Sequence, residues 1–184
     1  MLEIELKYPA ADLEAVRGRL QAKGFVLAGS RREADAYFNA PDRDFARTDE
    51  ALRVRTVGEQ SVLTYKGPKQ GAVGKTRLEV EVPLAPGTDA GTALPILLQH
   101  LGYRLTAIIR KQRQEYLHPA LPITACVDEV EGVGSYVELE QLGEPERVQE
   151  VQAALVKLAA DLGLTGESLR QSYLEQWLER HRQG

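Results

Sequence analysis

Charge recurs at every second residue along several short stretches of this chain: Glu3, Glu5 and Lys7; Arg53 and Arg55; Lys75, Arg77, Glu79 and Glu81; Lys111, Arg113 and Glu115; Glu138 and Glu140. The residues between them include Leu52 and Val54, Leu78, Val80 and Val82, and Val137 and Leu139. An extended strand sends alternate side chains to opposite faces, so each stretch offers one charged and one apolar face. Same-face neighbours lie ~7 Å apart. Like pairs such as Glu3 with Glu5, or Arg53 with Arg55, therefore repel unless opposite charge stands between them. One such strand alone reads as the solvated side of a sheet. Their succession, charge after charge with little Ser, Thr, Asn or Gln mixed in, calls for charged partners. Carboxylate pairs suit a hard divalent cation, and arginine and lysine pairs suit the oxygens of a polyphosphate. A closed sheet with charge inside and helices packed outside would meet both demands.

The elements that would carry these faces can be read along the chain. Leu2 to Tyr8 alternates as a strand that Pro9 ends. Asp12 is placed to cap a helix with Leu13, Val16 and Leu20 on one face and Gly24 as its stop. Strand patterns follow at Phe25–Leu27, Ala34–Phe38, Ala51–Val57, Ser61–Tyr65 and Lys75–Pro83. A second helix is expected over Thr88–Gly102, with Pro95 near its first turn. Strands resume at Arg104–Leu117, Ile123–Glu129 and Ser135–Leu142; Pro145 opens a helix closed by Gly163, and a last helix is expected over Glu167–Arg182. The order predicts an α+β protein with an antiparallel sheet, in one domain spanning residues 1–184.

Composition narrows the function classes. The formal net charge is -4 and the pI about 5.5, so no basic field is available to draw in nucleic acid. No apolar run approaches the ~18 residues of a membrane span, and no basic and apolar leader follows Met1; the expected location is the cytoplasm. Cys126 stands alone between Ala125 and Val127 and reads as a small buried residue. His100, His118 and His181 are too scattered for a zinc site. Any metal would be held by oxygen.

Taken in order, the motifs resemble a known family. Glu3-Ile4-Glu5-Leu6-Lys7 has the ExExK form that opens the triphosphate tunnel metalloenzymes, also called the CYTH superfamily. The likeness continues through Asp35-Ala36-Tyr37-Phe38, Leu52 to Arg55, Leu63 to Pro68, Lys75 to Glu81, Lys111 to Arg113, Asp128, Glu138 to Glu140, and Ser172-Tyr173. An isolated ExExK is weak; the ordered set covers nearly the whole chain. The resemblance implies a closed barrel with a charged bore. It implies Glu3, Glu5, Asp128, Glu138 and Glu140 as ligands of Mg2+ or Mn2+. Lys7, Arg53, Arg55, Lys66, Lys75, Arg77, Lys111 and Arg113 are implied as phosphate ligands. Glu5, Lys7 and Arg113 become the expected catalytic residues, and Glu79 and Glu81 support the cations or a second metal. Glu115 is read as a surface carboxylate at a strand end.

Within the family the motifs look closest to class IV adenylyl cyclases, which implies conversion of ATP to 3',5'-cyclic AMP and pyrophosphate. The alternatives are a metal-dependent triphosphatase acting on inorganic triphosphate, thiamine triphosphate or a nucleoside triphosphate, and a non-catalytic binder of a phosphorylated ligand. No partner other than the triphosphate is required, with homodimerisation left open. The stretch Gly67 to Thr76 superficially suggests a P-loop. It fails because Lys69 stands where the first glycine must be, and because the chain continues as an alternating strand.

Overall fold

The computed structural model describes residues 2–69, 77–86 and 88–181. Eight strands and five α-helices follow one another as β1 (Leu2–Pro9), α1 (Leu13–Ala22), β2 (Val26–Asn39), α2 (Phe45–Thr48), β3 (Ala51–Val57), β4 (Gln60–Lys66), β5 (Glu79–Pro83), α3 (Thr88–His100), β6 (Arg104–Leu117), β7 (Thr124–Val130), β8 (Gly134–Gly143), α4 (Val148–Asp161) and α5 (Tyr173–His181). The strands form one sheet in the order β1-β8-β7-β6-β2-β3-β4-β5. Its pairs β1/β8, β7/β8, β2/β3, β3/β4 and β4/β5 are antiparallel. The α+β class is as expected. The closed barrel is not: among the described residues the ladder ends at β1 and at β5. β5 is a five-residue strand ending on Pro83, whose nitrogen has no hydrogen to offer a further partner.

The chain divides into two compact units. The first holds residues 2–31 and 112–172. Its core is the apolar face of β1 (Ile4, Leu6, Tyr8), that of β8 (Val137, Leu139) and β7 (Ala125, Val127), and the stripes of α1 and α4. Helix α4 packs on β1 and β8 with Val151, Leu155 and Leu158. Asp12 caps α1 as expected, accepting from the Ala15 N–H at 2.9 Å. The second unit holds residues 32–69, 77–111 and 173–181. There Phe38, Val54 and Leu98 form a smaller core on which Leu52, Leu63 and Leu94 pack.

Helix ends follow the glycines. After α1 the Gly24 N–H donates to Gln21 O and the Phe25 N–H to Leu20 O, at 2.9 and 3.0 Å. After α4 the Gly163 N–H donates to Ala160 O and the Leu164 N–H to Ala159 O, both at 2.9 Å. These paired bonds close the last turn around a residue in the left-handed region, which a side chain disfavours. Gly163 has φ 73°, and a Cβ there would run into the Arg19 guanidinium, which donates to Leu162 O at 2.8 Å. Gly163→Ala is expected to cost at least about 1–2 kcal/mol, read as a lower denaturant midpoint at unchanged slope.

Three expectations need correction. Val26–Leu27 and Ala34–Phe38 are parts of one strand, β2, which begins after Phe25, because the polar run between them is extended too. Pro95 lies well inside α3 rather than in its first turn, and so withholds a donor from the Gly91 carbonyl. The last helix starts at Tyr173, not Glu167. The segment before it is used otherwise: the Leu169 N–H donates to Lys7 O at 2.7 Å, and Gln171 O accepts from Lys7 Nζ at 3.1 Å. Among the described residues no helix is long and apolar enough to cross a membrane.

Candidate active site

In the first unit, ladder register decides which charges meet. Glu5 is opposite Glu140 and Lys7 opposite Glu138 across β1 and β8, and Cys126 is opposite Glu138 across β7 and β8. Opposed residues of an antiparallel pair point the same way, so the carboxylates of β1 and β8 share a face. Glu3, Glu5 and Glu140 each bring a carboxylate oxygen within 4.8 Å of the others. Burial, then the charge of Glu138, then those of Glu5 and Glu3, push the Glu140 carboxyl up to about 8 in spite of Arg113. An all-oxygen set of this kind fits Mg2+ or Mn2+ and not a soft metal.

Asp128 and Glu138 are arranged differently. The Arg113 fork donates through Nε to Asp128 Oδ1 at 2.7 Å and through Nη2 to Asp128 Oδ2 at 2.5 Å and to Glu138 Oε2. Glu138 also pairs with Lys7 at 3.2 Å. Both carboxylates are buried and compensated by Arg113, whose Nη1 also lies 3.7 Å from Glu140 Oε1. Cys126 is buried as expected, but on this charged face rather than in the apolar core. Burial, first of all, raises its thiol well above the usual value.

The second unit gathers cations. Arg55 donates to both oxygens of Asp35, Nε at 2.7 Å and Nη2 at 2.8 Å, and pairs with Glu33 at 3.1 Å. Lys111 pairs with the same Glu33 at 3.3 Å and lies 5.2 Å from the Tyr173 ring centre. Burial alone would raise the Asp35 carboxyl. The Arg55 hydrogen bonds and the charges of Arg53, Arg55 and Lys111 outweigh it and hold Asp35 below the carboxylate range. Arg53 makes only long contacts, 3.5 Å to Asp35 and 3.4 Å to Thr64. Lys66 donates to Glu79 at 2.5 Å, and Arg77 stands 3.7 Å from the same carboxylate. Glu81 accepts from Thr64 and lies 3.9 Å from Arg53. Burial, then the charge of Arg53, lower the Lys66 ammonium below its ordinary value. Two buried donors, Nε of Arg53 and Nε of Arg77, have no hydrogen-bond partner. A buried guanidinium N–H is costly to leave so, and an anionic oxygen is its natural complement. Lys75 lies outside the described residues, as does most of the glycine-rich stretch after Gly67. Glu115 is half-buried and pairs with Arg31 at 2.8 Å.

The CYTH domain family matches residues 1–173. The chain belongs to the CYTH family. A candidate adenylate cyclase of Methanocaldococcus jannaschii is 35% identical to this CYTH chain over 180 residues, spanning 95% of the chain and 98% of its own length. A solved structure from Pyrococcus horikoshii is 35% identical with a TM-score of 0.85, covering 97% of this chain and 99% of that one. A Hippeastrum protein, described as a candidate adenylyl cyclase with a dominant triphosphatase activity, shares the fold at 20% identity and a TM-score of 0.70, with 97% and 95% covered. For this CYTH chain the resemblance read from ordered motifs is borne out. What motif reading missed is the role of Glu33 and Asp35, which set the arginines. The signal was present: Glu33, Asp35 and Tyr37 alternate, and two acids facing inward from a strand need cations.

Proposed function

We propose that this protein is a divalent-metal-dependent enzyme acting on a triphosphate, and that its leading reaction is the cyclisation of ATP to 3',5'-cyclic AMP with release of pyrophosphate. The observations that carry the reading are a trio of carboxylates whose oxygens come within 4.8 Å of one another in the first unit, and two arginines of the second, Arg53 and Arg77, whose buried Nε–H groups have no hydrogen-bond partner. A metal–triphosphate complex offers a cation of the kind carboxylates hold and anionic oxygens of the kind guanidinium groups bind.

In this reading Glu3, Glu5 and Glu140 hold Mg2+ or Mn2+, which when bound supplies neutralising charge at the phosphate oxygens. Arg53, Arg55, Lys66, Arg77 and Lys111 bind those oxygens. Asp35, Glu33, Glu79 and Glu81 aim the cations. Asp128 and Glu138 hold Arg113 and Lys7, which then act by position and field. The relative named as a candidate adenylate cyclase supports the cyclase. Hydrolysis is the second reading, favoured by the activity described for the Hippeastrum neighbour; there water takes the place of the ribose hydroxyl as nucleophile. A non-catalytic receptor is disfavoured, since carboxylates facing an anion gain nothing without metal.

Separate incubations with ATP, thiamine triphosphate and inorganic triphosphate, each with Mg2+ and with Mn2+, test this. Cyclic AMP and pyrophosphate from ATP are expected, with turnover abolished by EDTA and restored by excess metal. Orthophosphate from inorganic triphosphate, without cyclic nucleotide from ATP, would establish the hydrolase instead. Triphosphates recovered intact after prolonged incubation would rule out both.

A further inference from the structure

Among the ordered motifs, Ser172-Tyr173 brings neither a charge nor a carboxylate. Its tyrosine opens α5 and is buried, at 7% exposure. The Lys111 ammonium of β6 stands over the ring, 5.2 Å from Nζ to the ring centre, inside the ~6 Å at which an aromatic face attracts a cation. Lys111 is itself buried, so the attraction acts with little water between the two. The same ammonium is 3.3 Å from Glu33 Oε2, an oxygen that Arg55 Nη2 also approaches at 3.1 Å. The charge of that oxygen is therefore divided between two cations. A further acid in the place of the ring would hold the ammonium too, but would cancel the charge that a phosphate needs. A π face holds a cation and leaves its charge intact.

The ring is steadied by its own helix. Two residues on, Glu175 accepts from Lys69 Nζ at 3.0 and 3.3 Å, and the same ammonium lies 3.0 Å from Asp49 Oδ1. The Lys69 N–H donates to Asp49 Oδ2 at 2.7 Å. Asp49 follows α2 with φ 56°, in the left-handed region where a residue other than glycine is uncommon. The first turn of α5 is thereby tied to the end of α2 and to the chain just after β4. Every one of these groups belongs to the second unit. Tyr173 thus presents its ring from a frame that is set before any ligand arrives, which spares an ordering cost on binding.

We infer that Tyr173 is a positioning residue for phosphate binding: its ring face holds the Lys111 ammonium in a buried place without neutralising it, so that Lys111 meets a phosphate oxygen at full charge. The inference rests on the proposed triphosphate reading and adds to it a residue that acts through Lys111.

The test is a double-mutant cycle. Calorimetric titrations with inorganic triphosphate and with ATP, each with Mn2+, compare the natural full chain with Tyr173→Phe, Tyr173→Leu, Lys111→Met and the doubly substituted Tyr173→Leu, Lys111→Met variant. Tyr173→Phe keeps the ring face and should stay within about twofold of the natural affinity, whereas Tyr173→Leu should weaken binding about fivefold or more. With Lys111→Met already present, the leucine should change affinity by less than about twofold, since no ammonium remains for the ring to hold. A ring that served packing alone would cost affinity with or without the lysine. Melting curves report whether each variant folds, and Tyr173→Met, apolar and longer than leucine, takes the place of Tyr173→Leu if that variant does not. The positioning role is overturned if phenylalanine weakens binding as much as leucine, if leucine leaves binding unchanged, or if leucine weakens it equally in both backgrounds. In those three cases the natural protein still binds triphosphate and the proposed function stands. If neither ligand binds the natural protein, the proposed function falls and the role of Tyr173 falls with it.

Discussion

Glu140→Gln is expected to remove at least about 99% of turnover while leaving the metal-free protein as stable as before, or more so. Even indirect partners of a metal ligand are worth about 10- to 100-fold, and Glu140 is proposed as a direct one. The amide keeps the shape and removes a charge crowded by Glu138, Glu5 and Glu3. The sign of the pH dependence follows. The Glu140 carboxyl is raised from its ordinary value to about 8 by burial and by those charges, so the folded state holds a proton that the unfolded chain would lose. Its contribution to stability is complete below the ordinary glutamate range and is lost as pH rises toward 8. The metal-free natural protein should therefore lose stability between about pH 5 and pH 8. Glu140→Gln should flatten that slope. Metal, which competes with the proton, should stabilise the natural protein more at pH 8 than at pH 6. Melting curves of both proteins across this range, with and without Mn2+, check each statement. Equal slopes for the two would show that Glu140 is not the titrating group.

Asp35→Ala should be the most damaging single change to the fold of the second unit. Asp35 is 3% exposed and takes both arms of Arg55 while lying 3.5 Å from Arg53. Its loss leaves Arg55 with Glu33 and Arg53 with only Glu81, at 3.9 Å, as counter-charge, and breaking such a buried pair costs about 3–5 kcal/mol. Urea denaturation would show the drop in midpoint. The loss should also be partly reversible by ligand. If the arginines are phosphate ligands, inorganic triphosphate should raise the melting temperature of Asp35→Ala by more than that of the natural protein, because it replaces the missing anion. A variant destabilised but indifferent to triphosphate would mean that Asp35 and the arginines form a structural network only.

Much of this could be read without coordinates, and the reasons are specific. Period-two alternation located β1, β3, β4 and β6 because apolar residues alternate with charged or polar ones along most of each, and Asp12, Gly24 and Gly163 marked helix ends because capping is local chemistry. Partner choice was less legible. Glu3, Glu5, Asp128, Glu138 and Glu140 look alike in sequence, and only the register of β8 against β1 separates the trio from the pair that holds Arg113. β2 was hidden because Gly29-Ser30-Arg31-Arg32-Glu33 has the composition of a loop. Its strand form is set by neighbours: Ser30 accepts from Gln112 and Arg31 pairs with Glu115, both on β6. Residues 167–172 carry helical spacing, yet hydrogen bonds to Lys7 from a strand remote in sequence override it.

The pairing of β1 with β8 has a consequence for how the protein is made. Glu3 and Glu5 are made well before their ladder neighbours in Gly134–Gly143, and the segment that fastens Lys7 comes later still. During most of translation the first strand has no edge to pair with, and Ile4 and Leu6 are bare. Long-range pairing of this sort folds slowly and invites association meanwhile. A nascent chain released before β8 has two of the trio's acids without Glu140. The proposed affinity for a divalent ion therefore awaits the synthesis of β8 and is not a property of the ExExK segment alone.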